Sequence, residues 1–156
     1  MKIRIIALGK IKEQFLKDGV NEFLKRLTPY CPVEVIELTP IEIKDENLTS
    51  KVLDEEGVNI LSHIKPDSYV VTLEILGKQL SSEDFAEKIN EINMSGVNDL
   101  VFVIGSSCGL SDNVKSRANF KLSFSKMTFL HQFARLILIE QIYRAFKILK
   151  GEAYHK

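Results

Sequence analysis

The sequence predicts an α/β domain with a mainly parallel sheet flanked by helices. Short apolar runs alternate along the chain with segments of helical spacing, the pattern of strand–helix units. The run Leu100-Val-Phe-Val-Ile104 is apolar at every position, as a strand covered on both faces must be. No repeat, low-complexity tract or Pro/Gly-rich linker divides the chain. Its 156 residues, 45% of them hydrophobic, suffice for one core and not for two, so residues 1–156 read as a single domain.

The elements follow in order. Ile3 to Leu8 reads as a buried strand closed by Gly9-Lys10. Glu13 to Leu27 carries Phe15, Leu16, Val20, Phe23, Leu24 and Leu27 at helical spacing. Pro29 and Pro32 break the chain before a second strand, Val33 to Leu38. The polar, acidic stretch Thr39 to Thr49 reads as a surface loop. A helix follows to Ile64, with Val52, Leu53, Val58, Ile60 and Leu61 as its apolar positions. Tyr69 to Glu74 is a strand ended by a Gly77 turn, and Ser81-Ser82-Glu83-Asp84 caps a helix to about Met94. After the 100–104 strand come a short helix near Asn113–Ala118 and a strand from Phe120 to Phe124. A helix from about Thr128 to Lys150 and the tail Gly151 to Lys156 close the chain. Periodicity leaves the order of the strands open.

Composition narrows the function. Net charge is zero, but residues 1–112 hold 12 Lys/Arg against 19 Asp/Glu, and residues 113–156 hold 9 against 2. Either the basic C-terminal third faces an anionic partner such as nucleic acid, or it pairs with the acidic front within the fold or across a dimer. Cys31 and Cys108 lie far apart, and His63, His131 and His155 are scattered, so no metal site and no disulfide framework is expected. The apolar stretch Phe129 to Leu149 is interrupted by five ionisable residues, which argues against a membrane span. With no signal peptide pattern at the start, the expected location is the cytoplasm.

Open parallel sheets bind ligands at the carboxyl ends of their strands. That rule nominates the ends at Leu73, Ile104 and Ser123. Gly105-Ser-Ser-Cys-Gly-Leu110 follows the most apolar strand, yet it is neither GxGxxG nor a P-loop, and taken alone an ordinary strand-to-helix turn explains it better than a ligand loop. Phe124-Ser-Lys-Met-Thr-Phe129 suits backbone recognition of a heterocycle or a helix cap. His131 fits a base, a ligand contact or a cap. The last helix is apolar over more than a narrow stripe, which places it in the core or at a subunit interface. Arg135, Arg144, Lys147 and Lys150 on it suit phosphates or interface salt bridges.

Taken together and in this order, these segments resemble the RlmH family of SPOUT methyltransferases. The resemblance rests on Val71-Thr-Leu-Glu74, Phe102-Val-Ile-Gly105 with Gly109-Leu110, Leu122-Ser-Phe-Ser-Lys-Met-Thr128, Glu140-Gln-Ile-Tyr-Arg-Ala-Phe-Lys147 and Gly151-Glu-Ala-Tyr-His155. It spans essentially the whole chain. It implies a SPOUT-type α/β knot whose C-terminal segment is threaded into a trefoil, and a homodimer. It further implies S-adenosylmethionine as methyl donor, no metal, and N3 of a pseudouridine in large-subunit rRNA on the assembled ribosome as target. By position, the implied cofactor contacts are Leu73, Gly105, Phe124, Ser125, Lys126, Met127, Thr128 and Phe129. The implied catalytic neighbourhood is His131, Tyr154 and His155, with Arg135 and Arg144 holding RNA or ordering the tail, and with the tail of one subunit completing the pocket of the other. Two positions depart from the family pattern: Ser106 replaces a usual second glycine, and Leu130 replaces a usual proline before the histidine. They keep two other readings in view, a cofactor-deficient ribosome-binding scaffold and a SPOUT enzyme for a different RNA.

Overall fold

The computed structural model describes residues 1–155; Lys156, the last residue of the tail, lies outside them. Five strands, β1 (Lys2–Leu8), β2 (Val33–Leu38), β3 (Tyr69–Gln79), β4 (Asp99–Ile104) and β5 (Phe120–Ser123), form one sheet in the order β2-β1-β4-β3-β5. Every neighbouring pair is parallel. The helices are α1 (Gln14–Leu27), α2 (Thr49–Ser62), α3 (Ser82–Met94), α4 (Asp112–Arg117) and α5 (His131–Leu149), and a 3-10 turn, Glu46–Leu48, precedes α2.

Alternation along the strands sorts side chains between two layers. Ile3, Ile5 and Ala7 of β1, with Leu100, Phe102 and Ile104 of β4, meet α1, α3 and α5 on one face. Ile6 and Leu8, with Val101 and Val103, meet α2 and α4 on the other. All six β4 residues are buried, as its unbroken apolar run requires. At the amino ends of the strands, Arg4 donates from Nε to Asp99 at 2.8 Å and from a terminal nitrogen to the carbonyl of His63 at 2.6 Å. Ser68 donates to the same carboxylate. This buried pair ties β1, β4 and the loop after α2 together at the pole opposite the site described below.

Two expectations are corrected. Gly77 does not end β3 in a turn. The strand runs to Gln79, and its register against β5 jumps from Leu73 to Lys78, both of which oppose Leu122. Residues 74–77 therefore bulge out of the ladder, and the glycine is needed for close approach: a Cβ on Gly77 would lie 2.7 Å from the Leu122 carbonyl carbon. Val58 is not part of the core of α2 but 66% exposed. Glu56 and Gly57 are buried in its stead, because a Cβ at residue 57 would collide with Ser111 Oγ and only a glycine lets α4 pack there.

Candidate active site

A cavity of about 650 Å³ opens at the carboxyl ends of β3, β4 and β5, within the size range of small-molecule sites. Each wall has a local cause. The β3 bulge contributes Leu73, Glu74, Ile75 and Leu76. The turn after β4 contributes Gly105 to Gly109. Gly109 takes φ +89° and donates its N–H to the Ser106 carbonyl at 3.0 Å. A Cβ on Gly105 would stand 2.5 Å from the Gly109 oxygen, so this turn closes only over a glycine. The segment after β5 is pinned by Ser123, whose Oγ lies 2.9 Å from the Ile75 carbonyl and 3.0 Å from that of Ser125. The Met127 N–H donates to Ser125 Oγ at 3.0 Å. The β3 bulge and the 124–129 segment are thus stitched together.

Of the predicted cofactor contacts, the cavity brings together Leu73, Gly105, Phe124, Ser125, Met127, Thr128 and Phe129; Lys126 is exposed on the same segment and does not line it. The composition suits a ligand that is part heterocycle and part amino acid. Leu73, Ile104, Leu110 and Leu122 offer apolar wall, the three chain segments offer backbone polar groups, and Glu74 is the one carboxylate of the lining. His131 joins this wall as the first residue of α5. Burial, and secondarily the charges of Arg135 and Lys12, hold its pKa below the ordinary imidazole value. At neutral pH the ring is uncharged and has an acceptor nitrogen.

The remaining predicted residues lie elsewhere in the chain. Arg135 is 1% exposed and donates to Glu37 at 2.6 Å and to the Gly9 carbonyl at 2.8 Å. In this chain it neither orders the tail nor meets a phosphate; it locks α5 to the ends of β1 and β2. Arg144 ion-pairs with Glu140, lies 4.6 Å from the centre of the Tyr154 ring and approaches His155 Nδ1 to 3.4 Å. Tyr154 donates to Glu140 at 3.0 Å and packs edge-on against Tyr143. His155 Nε2 lies 2.7 Å from Glu83 at the start of α3. The tail is thus docked on its own α5 and α3, away from the lining of its own cavity. Burial and the bond to Glu140 raise the Tyr154 pKa above that of an ordinary phenol, so the hydroxyl is a donor there.

The chain matches over residues 1–155 the family described as "Predicted SPOUT methyltransferase". A protein of Carboxydothermus hydrogenoformans named ribosomal RNA large subunit methyltransferase H is 54% identical, with both chains covered in full. A protein of Methanococcus maripaludis, provisionally given the same name, is 52% identical over the same full coverage. This chain is a SPOUT methyltransferase of the RlmH family. Its fold is also similar to that of a probable methylase family protein from Haemophilus influenzae, with a TM-score of 0.57 at 14% identity, covering 99% of this chain and 70% of that one.

Within the RlmH family the two departures prove mild. Leu130 adopts φ −57°, the value a proline ring would impose, so the start of α5 keeps its geometry. Ser106 turns its hydroxyl to Glu56 at 3.3 Å and accepts from the Cys108 N–H at 3.4 Å. The added side chain is held by the turn itself. Sequence reasoning missed Glu56 in this role and Glu74 in the cavity. The only signal for Glu74 was an acidic residue directly after an apolar strand. Among the described residues, no group of three or more His, Cys, Asp or Glu could hold a metal, and no helix is long and apolar enough to cross a membrane.

Proposed function

We propose that this SPOUT methyltransferase transfers the methyl group of S-adenosylmethionine to N3 of a pseudouridine in large-subunit rRNA, acting in the cytoplasm on the ribosome. The observation that carries the reading is the single cavity assembled from the ends of β3, β4 and β5, into which the family-matching segments 71–74, 102–110 and 122–128 converge. The names of the full-length relatives supply the RNA class.

When bound, S-adenosylmethionine supplies an electrophilic methyl on a sulfonium, so the protein's task is alignment and handling of one proton. With the cofactor bound, exchange of the N3–H bond for an N3–CH3 bond would turn the sulfonium into a thioether and would leave one proton for the protein to accept. Neutral His131, on the cavity wall, is positioned to take it or to stabilise the N3 anion. Tyr154 and His155 act from the tail, and Arg144 from α5, of the second subunit of a homodimer. The dimer is supported by large apolar side chains left uncovered on α1, at the start of α5 and on the cavity rim: Phe15, Leu76, Met127, Phe129, Leu130 and Phe133. The reading includes the trefoil threading of the C-terminal segment. It rests on membership of the SPOUT family, whose model matches residues 1–155.

The test is methyl transfer from labelled S-adenosylmethionine to ribosomes lacking the modification, with the product nucleotide identified by mass spectrometry. One N3-methylpseudouridine in large-subunit rRNA is the expected product. Methylation of a different nucleotide would make this an enzyme for another RNA. Absence of both transfer and cofactor binding would leave the scaffold reading. Removing residues 152–156 is expected to reduce transfer at least tenfold while cofactor binding persists; unchanged transfer would remove the tail from the reaction.

A further inference from the structure

Four carboxylates of the described residues are withdrawn from full exposure: Glu56, Glu74, Asp99 and Glu140. Three have their needs met. Asp99 is paired with Arg4, and Glu140 with Arg144. Glu56 accepts from the Ile41 N–H at 3.0 Å and from Ser106 Oγ at 3.3 Å. Glu74 is the exception. It accepts one bond, from Thr72 Oγ1 at 2.6 Å, and forms no ion pair with any cation of the described residues.

A carboxylate partly removed from water beside Leu73, Ile104 and Leu122 carries a desolvation cost that a cation normally offsets. The nearby geometry holds it in place for one. Thr72 is fully buried, and its hydroxyl fixes one carboxylate oxygen of this lining residue, while the other has no hydrogen-bond partner among the described residues. The bulge of residues 74–77, imposed by Gly77 against β5, brings this acid to the cavity wall rather than into the ladder. Of the lining side chains it alone carries negative charge.

We propose that Glu74 is the counter-charge for the cationic methionine half of S-adenosylmethionine, a specificity-determining contact at the β3 end of the cavity. The inference rests on the cofactor reading above. That half of the molecule carries two cations, a sulfonium and an α-ammonium, and opposite charges in a partly dry pocket interact far more strongly than in water. The ammonium survives in the product S-adenosylhomocysteine, whereas the sulfonium does not. If the sulfonium is the partner, Glu74 favours substrate over product and assists turnover.

The experiment is calorimetric titration of the wild-type protein and Glu74→Gln with three probes: S-adenosylmethionine, S-adenosylhomocysteine and 5′-methylthioadenosine. The last keeps the adenosine and the thioether and has neither cation. Glu74→Gln is expected to bind methylthioadenosine as the wild type does and S-adenosylmethionine on the order of tenfold more weakly or worse. A loss confined to S-adenosylmethionine assigns the sulfonium, and an equal loss for S-adenosylhomocysteine assigns the ammonium. Unchanged S-adenosylmethionine affinity would overturn the proposal. Loss of methylthioadenosine as well would make Glu74 a support of the pocket wall and also overturn it. Failure of the wild type to bind any probe would instead strike the cofactor reading itself. Thr72→Val, which keeps the charge and frees the carboxylate, should weaken S-adenosylmethionine several-fold without affecting methylthioadenosine.

Discussion

Single residues in this chain do separable work at the two ends of the sheet. At the amino ends, Asp99 is 8% exposed, and its pKa is held below the usual carboxylate range chiefly by the hydrogen bond from Arg4. Asp99→Ala would strand the Arg4 guanidinium in the core, and a loss of about 3–5 kcal/mol in chemical denaturation is expected. The same pair sets a pH dependence. Because the folded-state pKa is depressed, the stabilisation is complete above the unfolded carboxyl pKa of about 3.9 and is lost as pH falls from there through the folded value. Denaturation curves recorded across that window should show wild type losing stability on acidification while Asp99→Ala changes less. At the carboxyl ends, Gly105→Ala places a Cβ 2.5 Å from the Gly109 oxygen and forces the turn open. Cofactor binding is expected to fall at least tenfold with the circular dichroism spectrum unchanged. Gly105 was legible as a glycine closing an apolar strand. The Arg4–Asp99 pair was not, because its members are 95 residues apart and nothing local links them.

Among the elements, β3 and α5 show what periodicity reads and what it misses. Helix α5 was recognised from its apolar positions, yet its start lies at His131, three residues later than spacing suggested. Residues 128–130 are held by the cavity rim and not by the helix. Phe133 on its first turn remains 41% exposed and meets Phe15 of α1 at a ring distance of 6.0 Å. If this patch is the subunit interface, Phe133→Glu should shift the protein to a monomer in analytical ultracentrifugation; a dimer of unchanged stability would place the interface elsewhere. Strand β3 was read as ending before Gly77, since a glycine after an apolar run signals a turn. The strand continues because β5 re-pairs with it after the bulge. Strand pairing is a tertiary event, and the β5 segment lies about forty residues further along the chain, outside any local window.

For the molecule as a whole, the charge asymmetry of the sequence is resolved only in part inside the fold, since Arg144–Glu140 and Lys147–Glu152 pair within the basic third itself. Arg135 is spent on Glu37, Arg144 on Glu140 and Lys147 on Glu152, and Arg117 donates to the carbonyls of Lys65, Pro66 and Ser68. Among the described residues of the basic third, Lys115, Lys121, Lys126 and Lys150 form no ion pair, so one subunit is expected to bind free rRNA with a moderate salt dependence, measurable by filter binding between 50 and 200 mM salt, roughly the range over which phosphate contacts are read. A steep slope would reveal an RNA surface composed by the dimer. His131 gives the molecule its second pH response. Its folded pKa lies below the unfolded value of about 6.5, so the neutral ring is favoured in the fold, and stability declines as pH falls from 6.5 toward the folded value. Transfer that depends on a neutral His131 should keep its rate below pH 6.5, and His131→Asn should lower kcat and remove that acid limb.

By itself the sequence determined what local physics can carry: the alternation of strands and helices, the fully buried β4, the cap at Ser81, and the three strand ends where a ligand would sit. Its resemblance to a known family was strong enough to name the segments that converge there. Only the tertiary structure decided the strand order, the continuation of β3 past its bulge, and the partners of each charged side chain. Those partners differ in kind from what composition suggested: Arg135 is committed to Glu37 and Gly9, while Glu74 lines a cavity and forms no ion pair among the described residues, Lys115 of the same lining included. The physical reason is the same in each case. Hydrophobic period and turn chemistry act over a few residues, whereas pairing, charge compensation and cavity shape arise between segments that meet only once the chain has folded.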